Sequence, residues 1–262
     1  MRLLVSVRSA AEANVAAANG ADIVDAKEPD AGPLGSVTRS VLHDIEAALP
    51  PEVPLGVALG DAGAPDELTA TLDRLAPPRH SAGTFLKVGF AGVASAAQVE
   101  TVLRRAKAYA RALGPSAAVI AASYADYDHA RAPSPEDILQ AAIVAGAAGV
   151  LIDTWLKDGR GLLRHLSVDA VGDWVTRARR AGLLTALAGG LEAEDLAVLQ
   201  SVEPDVVGFR GAVCHGGRTG LLDPARLRLL KALLDSAPAR ASERASVGEM
   251  PEPDGHSATL TR

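Results

Sequence analysis

Residues 3–27, LLVSVRSAAEANVAAANGADIVDAK, contain two short apolar runs separated by an alanine-rich segment with the period of a helix. The runs at 3–7 and 22–27 are rich in β-branched residues and have the length of strands. Gly20 follows the helical segment, at the place where a residue that tolerates positive φ often ends a helix. Strand, helix and strand in this order predict a βαβ unit with parallel strands.

The same alternation continues to about residue 234. Eight apolar runs are strand candidates, at residues 3–7, 22–27, 55–59, 84–88, 117–122, 150–153, 183–188 and 206–209. Each is followed by a helical candidate, at residues 10–19, 38–49, 65–75, 95–113, 134–144, 167–181, 192–200 and 224–234. Eight successive units favour an α/β fold with one closed (β/α)8 barrel, a TIM barrel, over an open doubly wound sheet.

The barrel is predicted to be a single catalytic domain over residues 1–236. Residues 237–262 are rich in Ser, Ala, Pro and Glu and have few large apolar groups, so we expect a disordered, flexible tail there.

Composition narrows the class of protein. The chain has 262 residues, 48% of them hydrophobic, and its net charge of -6 comes with scattered cations, so we expect no nucleic-acid partner. No apolar run approaches the roughly 20 residues that span a bilayer, and the first residues resemble a strand more than a signal peptide. Cys214 is the only cysteine, which is typical of a reducing compartment. We therefore expect a cytoplasmic protein without a membrane segment.

Lysine is rare in this chain. Only five of the 26 basic residues are lysines, so arginine supplies nearly all of the general positive charge. Two of these lysines, Lys27 and Lys87, stand at the ends of predicted strands, and Lys157 closely follows a third. A lysine kept in such a chain at such a place needs a specific explanation.

The rim at the carboxyl ends of the strands is where a barrel of this kind carries its active site. Side chains alternate along a strand, so Asp25 and Lys27 share one face, and Lys87 is in phase with an inward position of the fourth strand. Asp153 ends the sixth strand and precedes Lys157 by four residues. We expect these five side chains to converge on one cavity.

Each of these residues also has an ordinary explanation. Taken alone, Lys157 is more readily a solvated loop charge, and Asp25 and Asp153 are equally well caps or salt-bridge partners. Lys87 is harder to explain in this way, because a lysine inside a barrel is costly unless it is paired or used. The joint occurrence at one rim therefore carries the functional prediction.

Clustered lysines have a specific chemical use. A lysine must be neutral to attack a carbonyl, and desolvation with a neighbouring cation can lower the pKa of an amine by several units. The resulting imine draws electrons from the adjacent carbon, which allows isomerisation, aldol condensation or β-elimination. Asp25, Asp153 and Lys157 would then move protons or hold the reactive lysines. Residues alone leave these reactions open.

Glycines follow the seventh and eighth strands, where this fold often binds phosphate through backbone N–H groups. The candidates are Gly189, Gly190, Gly208 and Gly211, and Arg210 is expected to pair with the phosphate directly. The loop at 28–36 is a candidate lid or second substrate-binding edge, or else an ordinary surface connection. We expect no metal site, because Cys214 and His215 have no further ligands at metal-binding spacing. No cofactor is predicted, and a homo-oligomer is left open.

Six segments together resemble one enzyme family, the (5-formylfuran-3-yl)methyl phosphate synthases, also called 4-(hydroxymethyl)-2-furancarboxaldehyde-phosphate synthases. The resemblance extends from residue 1 to about 234, and the Asp-x-Lys-x-Pro and Lys-Asp-Gly motifs are its most specific parts. The segments are LLVS (3–6), GADIVDAKEP (20–29), GPLG (32–35), FLKVG (85–89), LIDT (151–154) with KDG (157–159), and GFRGAVC (208–214).

The resemblance implies a reaction that the residues alone do not select. Two molecules of glyceraldehyde 3-phosphate would condense with loss of phosphate and water to a phosphorylated furan aldehyde, a step of methanofuran biosynthesis. Lys27 would form the Schiff base and Lys87 would accept a proton, while Asp25, Asp153 and Lys157 would assist. The alternatives are a Schiff-base aldolase or isomerase of another sugar phosphate, and a non-catalytic barrel that binds a phosphosugar.

Overall fold

The first strand pairs in parallel with both the second and the eighth strand, and this pairing closes a barrel of eight parallel strands in sequence order. The computed structural model describes residues 1–236, so the predicted tail at 237–262 lies outside the described residues. The strands are β1 Arg2–Val7, β2 Ile23–Ala26, β3 Leu55–Asp61, β4 Thr84–Gly89, β5 Ala117–Tyr124, β6 Gly149–Asp153, β7 Leu184–Leu187 and β8 Val206–Phe209. The predicted (β/α)8 barrel is confirmed.

Helices follow the strands on the outside of the barrel. They are α1 Ala10–Ala18, α2 Arg39–Ala48, α3 Pro65–Leu75, α4 Ala96–Leu113, α5 Tyr127–Ala130, α6 Pro135–Ala145, α7 Val168–Arg180, α8 Leu196–Val202 and α9 Pro224–Asp235. Several begin where the sequence offers a cap; at α6, Ser134 and Asp137 form a reciprocal capping box before and inside the first turn. None of these helices has both the length and the apolar composition needed to cross a bilayer.

Short elements that the sequence pattern did not predict include the helix α5 Tyr127–Ala130, and two further differences concern the ends of β7 and β8. The helix predicted at 192–200 starts later, because a 3-10 turn at Ala193–Asp195 precedes α8. The loop after β8 contains a short antiparallel hairpin of β9 Cys214–His215 and β10 Leu221–Leu222, which the sequence pattern did not indicate. Both lie at the rim of the barrel.

Strand alternation divides the core into two layers. On β1, Leu3 and Val5 belong to the large cluster between barrel and helices, while Leu4 packs with the cluster inside the barrel. The inner cluster fills the middle of the barrel with apolar side chains, including Ile23 and Ile120. Polar residues two positions further along the same strands, Ser6, Asp25 and Asp153, therefore reach the carboxyl-end rim.

Candidate active site

A cavity of about 350 Å³ opens at the carboxyl ends of the strands. Its wall includes all ten residues that the sequence singled out: Asp25, Lys27, Lys87, Asp153, Lys157, Gly189, Gly190, Gly208, Arg210 and Gly211. The floor is apolar, with side chains such as Ile23, Ile120 and Leu151 from three strands. The cavity thus combines an apolar base with a charged rim, as small-molecule sites usually do.

Asp25 and Lys87 form a buried ion pair on the inner face of the barrel. Lys87 Nζ lies 2.5 Å from Asp25 Oδ2, and the Ser6 hydroxyl donates to the same oxygen at 3.0 Å. Asp25 is wholly inaccessible to solvent, and its Oδ1 has no hydrogen-bond partner among the described residues. This oxygen can therefore accept a proton, or a hydrogen bond from a hydroxyl group.

Gly56 makes this pair sterically possible. β3 lies between β2 and β4, and Gly56 pairs with Asp25 in the sheet register. A Cβ at Gly56 would lie 2.5 Å from Asp25 Oδ1, far inside an ordinary contact. The missing side chain lets the Asp25 carboxylate reach Lys87 two strands away.

Burial lowers the pKa of the Lys87 ammonium below its usual value. The attraction of Asp25 opposes this effect, and the nearby charge of Lys27 adds to it. The coupling between the two lysines means that both amines share the electrostatic environment of one cavity. A lysine with a lowered pKa is a better proton acceptor near neutral pH than a lysine in water.

Asp153 ends β6 and binds two further lysines through its two carboxylate oxygens. Lys157 Nζ lies 2.8 Å from Oδ1, and Lys27 Nζ lies 3.5 Å from Oδ2. Lys157 also donates to the carbonyl and hydroxyl of Thr154, so its three N–H groups all have acceptors. Lys27 is held more loosely, since the long contact with Asp153 is its only side-chain hydrogen bond within residues 1–236.

The charges around Asp153 are mutually dependent. Burial raises the pKa of the Asp153 carboxyl, but the ammonium groups of Lys157 and Lys27 outweigh this effect and hold it well below its usual value. Burial lowers the pKa of Lys157, and the attraction of Asp153 opposes the change. Asp153 therefore remains an anion that keeps two cations near the mouth of the cavity.

Asp126 holds the loop that carries Lys157. It is buried beside β5, and its two oxygens accept the backbone N–H groups of Trp155 at 2.6 Å and Leu156 at 2.8 Å. Two charge-assisted bonds to successive backbone groups fix the path of this loop. The position of Lys157 thus depends on a residue outside the cavity wall.

The glycines after β7 allow the loops to approach closely. Gly189 and Gly190 have φ of 96° and 59°, a region that favours glycine, and a Cβ at Gly189 would lie 2.6 Å from Thr154 N. Within the described residues, the N–H groups of these two glycines take part in no backbone–backbone hydrogen bond. They are therefore free donors beside Gly208 and Gly211 in the same wall.

Arg210 lines the cavity and is bound to other parts of the protein. Its guanidinium forms a buried ion pair with Glu12, with contacts of 2.5 and 3.1 Å, and it also donates to the carbonyls of Ser6, Arg218 and Gly220. All five N–H donors of Arg210 are thus used inside the protein. In the structure this side chain joins α1 to the loop after β8, and the direct phosphate contact by Arg210 stays a prediction.

The loop at 28–36 is tied to its neighbours at several points. Arg8 pairs with Glu28 at 3.1 Å and with Asp30 at 3.0 Å, and Pro29 lies in the cavity wall. Arg218, from the hairpin of β9 and β10, reaches across to the Pro29 carbonyl. The loop therefore forms one edge of the site.

Four residues that shape this site were not among the candidate site residues of the sequence: Ser6, Gly56, Asp126 and Arg218. Ser6 could have been identified from the sequence, because it is in phase with the inward Leu4 on β1. The other three depend on strand register or loop path, which local patterns do not determine.

Comparisons with known proteins agree with the motifs. The family model of 4-HFC-P synthase matches residues 3–231. The (5-formylfuran-3-yl)methyl phosphate synthase of Methanosarcina acetivorans is 34% identical over 218 residues, 83% of this chain and 92% of that protein. The protein of the same name from Archaeoglobus fulgidus is 34% identical over 223 residues, 85% of this chain and 94% of that protein.

Among solved structures, phosphoribosyl anthranilate isomerase from Thermus thermophilus has a TM-score of 0.60 and 20% sequence identity. The alignment covers 90% of this chain and 99% of that one. At this level of identity the likeness concerns the barrel fold alone.

Proposed function

The chain belongs to the 4-HFC-P synthase family, a family of enzymes, and from this premise we propose the reaction that its cavity performs. The enzyme condenses two molecules of glyceraldehyde 3-phosphate, with loss of phosphate and water, to (5-formylfuran-3-yl)methyl phosphate. The observation that carries the proposal is the meeting of Lys27, Lys87 and Lys157 around Asp25 and Asp153 in one cavity.

Lys27 is the proposed nucleophile because its amine is the least tightly hydrogen-bonded of the three lysines. Lys87 is in close contact with Asp25, and every N–H of Lys157 has an acceptor, whereas Lys27 has one contact at 3.5 Å. Its amine adds to the aldehyde carbon of one substrate, and water leaves as the imine forms. The positive imine nitrogen then weakens the C–H bond on the adjacent carbon.

Lys87 is the proposed acceptor of that proton. Its lowered pKa and its place below the rim support this role, and Asp25 holds the ammonium that results. Loss of the proton gives an enamine, whose carbon adds to the aldehyde of the second molecule. Lys157 and Asp153 would supply and remove protons as the hydroxyl and phosphate groups leave. When the furan ring closes, a substrate oxygen replaces the Lys27 nitrogen on its carbon, and the free amine is restored.

The glycine loops are the proposed site for a substrate phosphate. Free N–H groups at Gly189 and Gly190, with Gly208 and Gly211 beside them, offer donors without side chains in the way. In the same proposal residues 1–236 are the catalytic domain, and the cytoplasm is its location, where Cys214 stays reduced.

The direct test is incubation of the purified protein with glyceraldehyde 3-phosphate. The proposal predicts release of inorganic phosphate together with a furan ultraviolet absorbance, and loss of both signals in Lys27→Arg, which keeps the charge but cannot form an imine. Folded wild-type protein that gives neither signal would refute it. A borohydride adduct on Lys27 without furan would indicate the aldolase or isomerase alternative, and binding without turnover would indicate a silent barrel.

A further inference from the structure

Arg218 lies at the tip of the hairpin of β9 and β10, and its side chain lines the cavity. Its Nη2 donates to the carbonyl oxygens of Pro29 at 2.6 Å and Gly32 at 3.2 Å. The side chain thus joins the loop after β8 to the loop after β2 across the mouth of the barrel. Both acceptors are neutral, so they orient the guanidinium without neutralising its charge.

Two arginine side chains also donate hydrogen bonds to backbone carbonyls at the hairpin tip. Arg210 Nε donates to the Arg218 carbonyl at 2.9 Å, and Arg8 Nη1 donates to the Thr219 carbonyl at 3.2 Å. Arg210 is in turn fixed by its buried ion pair with Glu12. Arg218 is therefore presented to the cavity by a preorganised support, which reduces the entropy cost of binding a ligand.

The charge of Arg218 is unpaired among the described residues. No carboxylate of residues 1–236 forms an ion pair with it, whereas Arg8 pairs with Glu28 and Asp30, and Arg210 pairs with Glu12. Burial lowers the pKa of the Arg218 guanidinium against the attraction of Asp153, and Arg218 contributes to the lowered pKa of Lys157. Its field therefore reaches the lysine cluster, where cations already outnumber the two buried carboxylates.

We propose that Arg218 binds the phosphate of the second glyceraldehyde 3-phosphate molecule. The inference rests on the proposed function, because a reaction between two phosphorylated molecules needs two phosphate contacts. The glycines after β7 and β8 lie at the strand ends and serve the molecule that is bound to Lys27. Arg218 lies further out, on a loop tip, and its Nε and Nη1 donors have no partner within residues 1–236, so it meets the molecule that enters afterwards.

The test compares Arg218→Gln with Arg74→Gln. Arg74 is a matched control, because its Nη2 donates to Ser36 of the same loop after β2 but its side chain is outside the cavity wall. We expect Arg218→Gln to raise KM for glyceraldehyde 3-phosphate about 10- to 100-fold and to weaken inhibition by inorganic phosphate similarly. Arg74→Gln should leave both quantities unchanged.

Trapping with borohydride separates this subsite from the rest of the reaction. The adduct of Lys27 with one substrate molecule should form in Arg218→Gln at the wild-type rate while furan formation falls, and Arg218→Lys should recover part of the loss. An unchanged KM and phosphate inhibition in Arg218→Gln, with or without a lower Tm, would overturn the inference, as would parallel loss of adduct and furan. Failure of the wild type to make furan would instead refute the proposed function.

Discussion

Gly56→Ala should disrupt the reaction without adding or removing a functional group. The new Cβ would lie 2.5 Å from Asp25 Oδ1 and 3.2 Å from Asp25 Cγ, whereas carbon atoms in ordinary contact are about 3.5–4.0 Å apart. The carboxylate must therefore move by roughly 1 Å. Its contact with Lys87, now 2.5 Å, would then lengthen beyond the usual hydrogen-bonding limit of about 3.2 Å.

Two effects of different size follow from that displacement. Forcing a methyl group into a packed core lowers the free energy of unfolding by about 1–3 kcal/mol. Displacing a catalytic group by about 1 Å can lower the rate about 100-fold. We therefore expect kcat/KM, measured by phosphate release, to fall about 100-fold while the protein stays folded in urea titrations.

Gly172→Ala provides the matched control. Gly172 lies within α7, and a Cβ there would meet only Val202 Cγ1, at 3.5 Å. Alanine is the better helix former by about 0.5–1 kcal/mol, so this variant should be slightly more stable and fully active.

A double-mutant cycle shows whether Gly56 acts through Asp25. In an Asp25→Ala background the carboxylate is gone, so adding Gly56→Ala should lower the remaining rate little further. A wild-type rate in Gly56→Ala, or an equal loss in both backgrounds, would refute the steric argument.

Three further predictions concern the groups around the cavity. Glu12→Gln removes one partner of the buried pair with Arg210 and should lower the free energy of unfolding by about 3–5 kcal/mol. The control Glu100→Gln, at the exposed pair with Arg104, should lower it by about 0–1 kcal/mol. Equal losses for the two variants in urea titrations would contradict the stabilising role of the buried pair. The kcat/KM of the wild type should rise with pH through the lowered pKa of Lys87, because the neutral amine is the proton acceptor. Asp25→Asn removes the attraction that raises this pKa, so the acidic limb of the residual activity should move to lower pH, and movement to higher pH would count against the assignment. Asp126→Asn replaces one of the two acceptor oxygens with a donor, which should displace the loop that carries Lys157 and lower kcat by up to about 100-fold. An unchanged kcat in steady-state assays would show that Trp155 and Leu156 keep their positions without the Asp126 carboxylate.

Strand phase was enough to predict the central part of the site. Asp25 on β2 and Lys27 directly after it share one face, Lys87 is inward on β4, and Asp153 ends β6; all four line one cavity. This works because side-chain alternation and the position of the rim are both consequences of local backbone geometry. The sequence therefore predicts that residues far apart in the chain line the same cavity.

Strand phase does not predict which side chains of different elements contact each other. The pair of Asp25 and Lys87 depends on Gly56 being opposite Asp25, which is a property of the register between β2 and β3. Arg210 is predicted to contact phosphate because its motif follows β8, while its ion-pair partner in the structure, Glu12, lies 198 residues earlier in the chain, in α1. Local patterns show which residues are near a rim and leave open what each of them contacts.

The most direct test of the account is mass spectrometry after borohydride reduction in the presence of glyceraldehyde 3-phosphate. The account predicts a stable adduct on a single peptide, the one that contains Lys27, and no adduct in Lys27→Arg. Lys87→Arg, which removes the proton acceptor and leaves the nucleophile, should still give the adduct on Lys27 but no furan. An adduct on Lys87 or Lys157 in the wild type, or furan formation by Lys27→Arg, would contradict it.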